Sequence, residues 1–436
     1  MYKINKLKGT IDIYNDKYYI FNYIINKIKI ILKFYGYLPI KTPSVENTKI
    51  LKYLNINLSK KIIYNFNKNK FLIYDLTIPL IRFINNNYNN LIFPFKRYQI
   101  QRVWRGEKPQ YNRYREFYQF DIDVISFKYN KKYYIELELL TICEKIFYKL
   151  KLKAILEINN KKILYDLCNL LNIKKNKINK FIIILDKINK IKLNNIINYI
   201  KSNKIIDKKN YKKFIFLYKI NLIKNNKKKI LLLYKIFNRY NINIKNLNYI
   251  KFIYNKLLNY NFKNLNLNIN FLLSRGLNYY SNIIFEIKTN GYNNISLLGG
   301  GSYNNYFKIN NKNTYYIGMS IGIYRLLNYF LDELKNINIK IKKIKILFIN
   351  LNLEYYIYYK YLNLFNNKYI VEIYPHFVKI KKQIKYAIKK KINILIFIGN
   401  KEIKNNIIKV KDLKRGEEYI FLKKKNFIKF LENYKL

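Results

Sequence analysis

Between Gln99 and Ile125 the chain reads QIQRVWRGEKPQYNRYREFYQFDIDVI, a stretch whose residue types suit the handling of phosphate. Its odd-numbered positions include Arg113, Arg115, Phe117, Gln119, Asp121 and Asp123, while Tyr114, Tyr118, Phe120, Ile122 and Val124 are mostly apolar. Side chains alternate faces along a strand, so one face packs and the other presents two arginines, an aromatic ring, an amide and two carboxylates. Arg105 and Glu107 leave the preceding strand with the same parity. Arginine is scarce: only ten of the 85 basic residues are arginine, and five of them (Arg97, Arg102, Arg105, Arg113 and Arg115) fall in or just before this hairpin. A flat guanidinium fork grips phosphate or carboxylate bidentately, which an ammonium cannot do.

The elements that must position these residues follow from periodicity. Two strands joined by a loop of Lys108, Pro109, Gln110, Tyr111 and Asn112 form the hairpin. Upstream, a helix is expected from about Asp16 to Tyr35, with apolar residues at helical spacing and Gly36 where a helix stops. GYLPIKTPSVEN, with two of the six prolines, reads as an extended segment at a domain edge or subunit contact. FLIYDLTIPLIRFI places Asp75, Thr77 and Arg82 in a strand running into a helix, and a further helix from about Tyr133 to Leu150 follows the hairpin. Residues 151–270 lack Pro and Gly and carry isoleucine and leucine at helical spacing, predicting an inserted helical module. Glycine returns in SRGLNYYSNIIFE, in the Gly299, Gly300 and Gly301 cluster, and at Gly318 and Gly322 ahead of Arg325. These glycines suit either backbone approach to a ligand or tight strand–helix packing. Beyond a connector at 336–343, strand–helix alternation predicts a separate small α/β domain with a largely parallel sheet.

Composition narrows the chemistry. The single histidine, His376, excludes a histidine-based metal cluster, and Cys143 and Cys168 are too few for a disulfide framework or a thiolate metal site. MYKINKLKGT lacks the apolar core of a signal peptide, and no apolar run reaches membrane-spanning length, which gives the expectation of a cytoplasmic protein without a membrane partner. The formal charge of +60 fits a polyanion partner. It also fits drift toward A- and T-rich codons, which favour Lys, Asn, Ile, Tyr and Phe. Drift predicts that Lys227, Lys228 and Lys229, far from any motif, are exposed and uncontacted, so that glutamine there leaves RNA affinity and stability unchanged.

The motifs resemble those of a known family. RGEKPQYNRYREFYQFDID resembles motif 2 of the class II aminoacyl-tRNA synthetases, GMSIGIYRLL motif 3, and GYLPIKTPSVE motif 1. SRGLNYYSNIIFE and LGGGSYNNYF resemble segments characteristic of the histidyl-tRNA synthetases, and KKQIKYA, IGNKE and VKDL resemble their anticodon-binding domain. The resemblance implies an α+β catalytic domain on a six-stranded antiparallel sheet (1–150 and 271–335), a helical insertion (151–270) and a C-terminal α/β anticodon-binding domain (336–436). It also implies a homodimer and L-histidine, ATP with its Mg²⁺, and tRNA(His) as partners. Carried over position by position, Arg105 and Arg275 serve the reacting α-phosphate, and Arg113 and Arg325 the other ATP phosphates. Glu107 and Phe117 match the adenine site. Asp75, Thr77, Gln119 and Asp123 match positions holding the histidine ammonium or imidazole, with Tyr280 and Tyr303 lining the pocket. Lys108 and Gln110 of the hairpin loop and Tyr386 of the C-terminal helix are tRNA-binding candidates. The chain departs from the family at Asn278 and Asn304, usually aspartate, at Ser302, usually arginine, and at Asp123, often glutamate.

Such a site needs no protein nucleophile, because a substrate carboxylate itself attacks the α-phosphate. Catalysis then rests on positioning and on neutralising phosphate charge, a role for fixed arginines and Mg²⁺. Two alternatives stay open: an inactive paralogue acting as a regulatory subunit, and another class II synthetase of the same subgroup. A pure RNA-binding protein would not require Asp75, Gln119 and Asp123 beside the arginines.

Overall fold

The computed structural model describes residues 4–53, 62–67, 69–127, 133–185, 193–275, 280–291, 294–303, 314–333, 344–366 and 368–434. The chain divides into two units, 1–339 and 340–436.

In the first unit, helix α1 (Asn15–Phe34) buries Phe21, Ile24, Ile28 and Leu32 on one stripe and ends before Gly36, whose φ of 75° is the left-handed value a helix stop favours. The sheet strands are β1 (Leu38–Pro39), β2 (Phe95–Trp104), β3 (Glu116–Ser126), β4 (Ala154–Asn160), β5 (Leu265–Ile269), β6 (Ile283–Thr289), β7 (Ser296–Ser302) and β8 (Tyr315–Gly322). Their spatial order is β1-β2-β3-β8-β7-β6-β4-β5. The six strands from β2 to β4 pair antiparallel throughout, and β1 and β5 add a parallel strand at each edge. The even-numbered face of β3 packs on helices: Tyr118 lies edge-on to Phe21 of α1, and Tyr114, just before the strand, lies edge-on to Tyr324. Tyr324 belongs to α4 (Ile323–Glu333), which starts directly after β8. On the other face lie α2 (Thr77–Asn87) and a cluster of Phe71, Ile78, Ile81, Ile84 and Tyr316. Helix α3 (Tyr134–Leu150) follows the hairpin within a residue of its expected start.

The helical reading of 151–270 is corrected at both ends, where β4 and β5 complete the eight-stranded sheet. Six α-helices lie between them among the described residues, from Lys161–Leu170 to Lys245–Asn259. The strands escaped notice because AILEINN and LNLNI interleave their apolar residues with Asn and Glu, as the surrounding helices do. The insertion also corrects the lysine test. Lys227 and Lys228 are exposed, but Lys229 is buried and its Nζ donates to Asn268 Oδ1 (2.6 Å) and the Ile269 carbonyl (2.7 Å). That ammonium ties the insertion to the sheet edge, and burial pulls its pKa down to about 8. Lys229→Gln is therefore expected to destabilise the protein by about 1–3 kcal/mol through unsatisfied buried acceptors. Lys227→Gln and Lys228→Gln should stay within about 0.5 kcal/mol, and chemical denaturation separates the cases.

The second unit has strands β9 (Ile344–Ile349), β10 (Tyr369–Ile373), β11 (Ile394–Phe397), β12 (Ile408–Asp412) and β13 (Glu418–Phe421) in the order β10-β9-β11-β12-β13. Only β10, β9 and β11 run parallel; β12 and β13 pair antiparallel, correcting the largely parallel expectation. The link from Asp412 to Glu418 is a tight turn, and a parallel pair would need a crossover of about a dozen residues. The connector at 336–343 lies outside the described residues, as do Asn278 and Asn304.

Candidate active site

Register, more than sequence proximity, assembles the site. Arg97, Gln99 and Gln101 of β2 lie opposite Asp123, Asp121 and Gln119 of β3. On the other side of β3, the same three residues face Gly318, Ser320 and Gly322 of β8. The row continues through Gly301 and Gly299 of β7 to Glu286 of β6. One sheet face thus carries an unbroken polar band whose middle is nearly bare of side chains.

The bare middle makes room for longer neighbours. A Cβ built on Gly318 would lie 1.8 Å from Asp123 Oδ1, and one on Gly299 would lie 2.1 Å from the Arg275 guanidinium. Gly299 and Gly318 therefore serve close approach by these side chains, rather than strand–helix packing.

At one end of the band are carboxylates. Asp123 is buried, pairs with Arg97 at 2.6 Å and accepts the Tyr303 hydroxyl at 2.5 Å. The Tyr303 ring meets Tyr280 edge-on with centroids 6.4 Å apart. Asp75, also buried, accepts from the Ile78 amide at the start of α2, whose first residue Thr77 is buried beside it. Burial pushes the Asp75 and Asp123 carboxyls above their usual range, while Arg105 and Arg97 respectively oppose the shift. Gln119 donates to Ser320 Oγ at 2.9 Å. Asp75 Oδ2, Gln119 Oε1 and Asp121 Oδ1 are buried acceptors with no hydrogen-bond partner among the described residues. Orphaned acceptors on one face call for a donor-rich, cationic ligand.

At the other end are arginines. Arg325, in the first turn of α4, donates to the carbonyls of Asn112 (2.8 Å) and Ser296 (3.0 Å). Burial, then the guanidinium groups of Arg105 and Arg113 and also that of Arg275, hold its pKa below the ordinary arginine value, against Glu286. Four guanidinium groups within one electrostatic neighbourhood make an anion site. Arg105 is held by the Tyr74 carbonyl (3.0 Å) and lies over the Phe117 ring, 5.1 Å from its centroid. Arg113 pairs with Glu107 at 2.5 Å, and Arg275 with Glu286 at 2.8 Å. Among the described residues no group of three or more His, Cys, Asp or Glu side chains could hold a metal ion.

The remaining residues are placed as follows. Lys108 and Gln110 are exposed on the hairpin loop, which closes through paired backbone bonds between Gln110 and Arg113. Tyr386 packs edge-on against Tyr374 and donates its hydroxyl to Glu372 (3.1 Å). Ser302 is fully buried, and its neighbour in register is Ile317, off the polar band. Two hairpin arginines stand apart: Arg102 pairs with Glu116 over the Tyr118 ring, and Arg115 ties the hairpin to the Lys8 carbonyl. The polar face is buried at Gln119, Asp121 and Asp123 and open at Arg113. Arg97, Asp121, Ser320 and Glu286 belong to the band yet had no site role in the sequence reading; their signal was strand parity, once the register is known.

A family model described as histidyl-tRNA synthetase matches residues 11–326, and one described as anticodon binding domain matches residues 343–434. A histidine–tRNA ligase of Azobacteroides pseudotrichonymphae genomovar. CFP2 is 33% identical over 450 residues, covering 96% of each chain. A solved histidyl-tRNA synthetase from Nostoc sp. PCC 7120 superposes with a TM-score of 0.80 over 99% of both chains at 23% identity. A structure described as an ATP phosphoribosyltransferase regulatory subunit/histidyl-tRNA synthetase, from Bacillus halodurans C, shares the fold at a TM-score of 0.69 and 15% identity, over 91% of this chain and 98% of its own. No helix among the described residues is long and apolar enough to cross a membrane.

Proposed function

The chain belongs to the histidyl-tRNA synthetase family, and from that premise we propose that it activates L-histidine with ATP and transfers the histidyl group to the 3′ end of tRNA(His). The observation that carries the reading is the polarity of the band: orphaned acceptors at one end and four guanidinium groups at the other, on one sheet face. In this reading Asp75, Thr77 and Gln119 receive the ammonium, and Asp123 with Tyr280 and Tyr303 receives the imidazole. The carboxylate then lies between the two ends, where the α-phosphate is held by Arg105 and Arg275. Its oxygen forms the bond to phosphorus as the bond to the β-phosphate bridging oxygen breaks, and diphosphate leaves with the electron pair. Arg113 and Arg325 balance the charge of the departing phosphates, with Mg²⁺ entering as part of the ATP complex. Phe117 and Glu107 flank the adenine.

In the second step a terminal ribose hydroxyl of the tRNA attacks the acyl carbon and AMP leaves. Lys108 and Gln110 meet the acceptor strand, and Tyr386 belongs to the domain that reads unpaired anticodon bases. The protein works as a cytoplasmic homodimer in this reading.

The test is amino-acid-dependent ATP–pyrophosphate exchange across all twenty amino acids. Histidine alone is expected to drive strong exchange. Comparable exchange with threonine, proline or glycine would move the chain to another synthetase of the subgroup. Absence of exchange with every amino acid would return it to a non-catalytic family member.

A further inference from the structure

Asp121 sits between Gln119 and Asp123 on the polar band, and no role in the reaction has been given to it. It is 4% exposed, and its Oδ1 has no hydrogen-bond partner among the described residues. The groups facing it come from every neighbouring element. Arg97 approaches from β2, Asp123 from its own strand, Asp75 from the segment before α2, and the Ser320 hydroxyl from β8. Arg97 is already committed to Asp123 at 2.6 Å. Three buried carboxylates therefore share one nearby guanidinium, with Arg105 also acting on Asp75. A buried carboxylate without its own counter-charge takes up a proton. Burial, reinforced by Asp123 and Asp75, pushes the Asp121 carboxyl up to about 7.

We propose that Asp121 is a specificity-determining residue of the amino-acid pocket, which holds a proton until the substrate's ammonium enters and then releases it to solvent. This rests on the histidine-activation reading. The exchange balances: a neutral carboxylic acid and an ammonium become a carboxylate beside that ammonium, and one proton leaves to buffer. The pocket thereby favours an amino acid carrying a full positive charge at its amino end over a neutral isostere. Below about pH 7 the proton competes with the substrate, so affinity falls as pH falls; above it this contribution is flat.

The experiment is calorimetric titration of L-histidine into the full-length protein at about pH 7, in two buffers of different ionisation enthalpy. About half a proton per histidine is expected to leave the wild-type protein, since a group titrating near the working pH is about half protonated. Asp121→Asn should abolish that release. It should also remove the roughly tenfold weakening of Kd between about pH 8 and pH 6 that this group contributes. The titration of free histidine cancels in the comparison. Ser320→Ala supplies a second variant: it removes a hydrogen bond to the ionised form, so the midpoint of proton release should move upward. Equal proton release by wild type and Asp121→Asn, or an unmoved midpoint in Ser320→Ala, would overturn the proposal. Absence of histidine binding to the wild type would overturn the reading beneath it as well, and so tells the two failures apart.

Discussion

Arg275→Lys is expected to slow formation of the adenylate by about 30- to 1,000-fold, equivalent to about 2–4 kcal/mol of transition-state stabilisation. The charge is kept; the fork is lost. In the structure the Arg275 guanidinium binds Glu286 through Nη1 at 2.8 Å and lies against the backbone of Gly299. A planar guanidinium can bind a carboxylate and a phosphate oxygen through different N–H groups in fixed directions. A lysine ammonium that answers Glu286 cannot hold that second direction with the same geometry. Single-turnover adenylate formation measures the loss, and an unchanged rate would remove Arg275 from the reacting phosphate. Gly299→Ala provides an independent check, because the added methyl would occupy the space of the guanidinium and expel it. The two variants should fail alike in rate, and Gly299→Ala should also lower the thermal transition, because it overpacks the site and separates Arg275 from Glu286.

That pairing shows where the sequence was readable and where it was not. Alternation in NRYREFYQFDIDV was enough to sort β3 into an apolar and a polar face, and the stripe of α1 and its glycine stop were clear. Parity alone could not say where the polar face is buried, nor which residues meet it from the next strand. The loop at Gln110–Arg113 closes with one register, while Arg97 and Asp123 pair three residues out of step with it. Parity placed Arg97 among the hairpin arginines, but a register counted back from the turn would set it opposite Ser126, so its partner Asp123 was not legible. The glycines at 299 and 318 were ambiguous for a similar reason: their purpose is set by side chains from distant segments, Arg275 and Asp123. In the insertion, lysine and asparagine occupy buried and exposed positions alike. Lys229 thus looked like its exposed neighbours, and β4 and β5 looked like more helix.

Arg97 is where that lost register has its largest energetic consequence. Its side chain is fully buried, pairs with Asp123 at 2.6 Å and donates to Gln99 at 3.1 Å. Arg97→Met fills the same space with an apolar chain and leaves Asp123 and Asp121 without their shared counter-charge. Breaking a buried pair from one side is expected to cost about 3–5 kcal/mol, because the remaining charge stays buried. The loss should depend on pH in a definite direction. Both carboxyls already lie above the ordinary range in the folded protein, and Arg97 is what opposes the shift. Removing it raises them further, so the folded variant binds protons that the unfolded chain has released above about pH 4. Where the folded state binds more protons, stability falls as pH rises, by up to about 1.4 kcal/mol per pH unit for each proton. The deficit of Arg97→Met relative to wild type should thus be small near pH 5, where protons substitute for the guanidinium, and widest near pH 8. Urea denaturation of both proteins across that range measures it. A deficit equal at both ends would make Arg97 a packing residue, and the carboxylate end of the site would then have to be charged by something other than this pair.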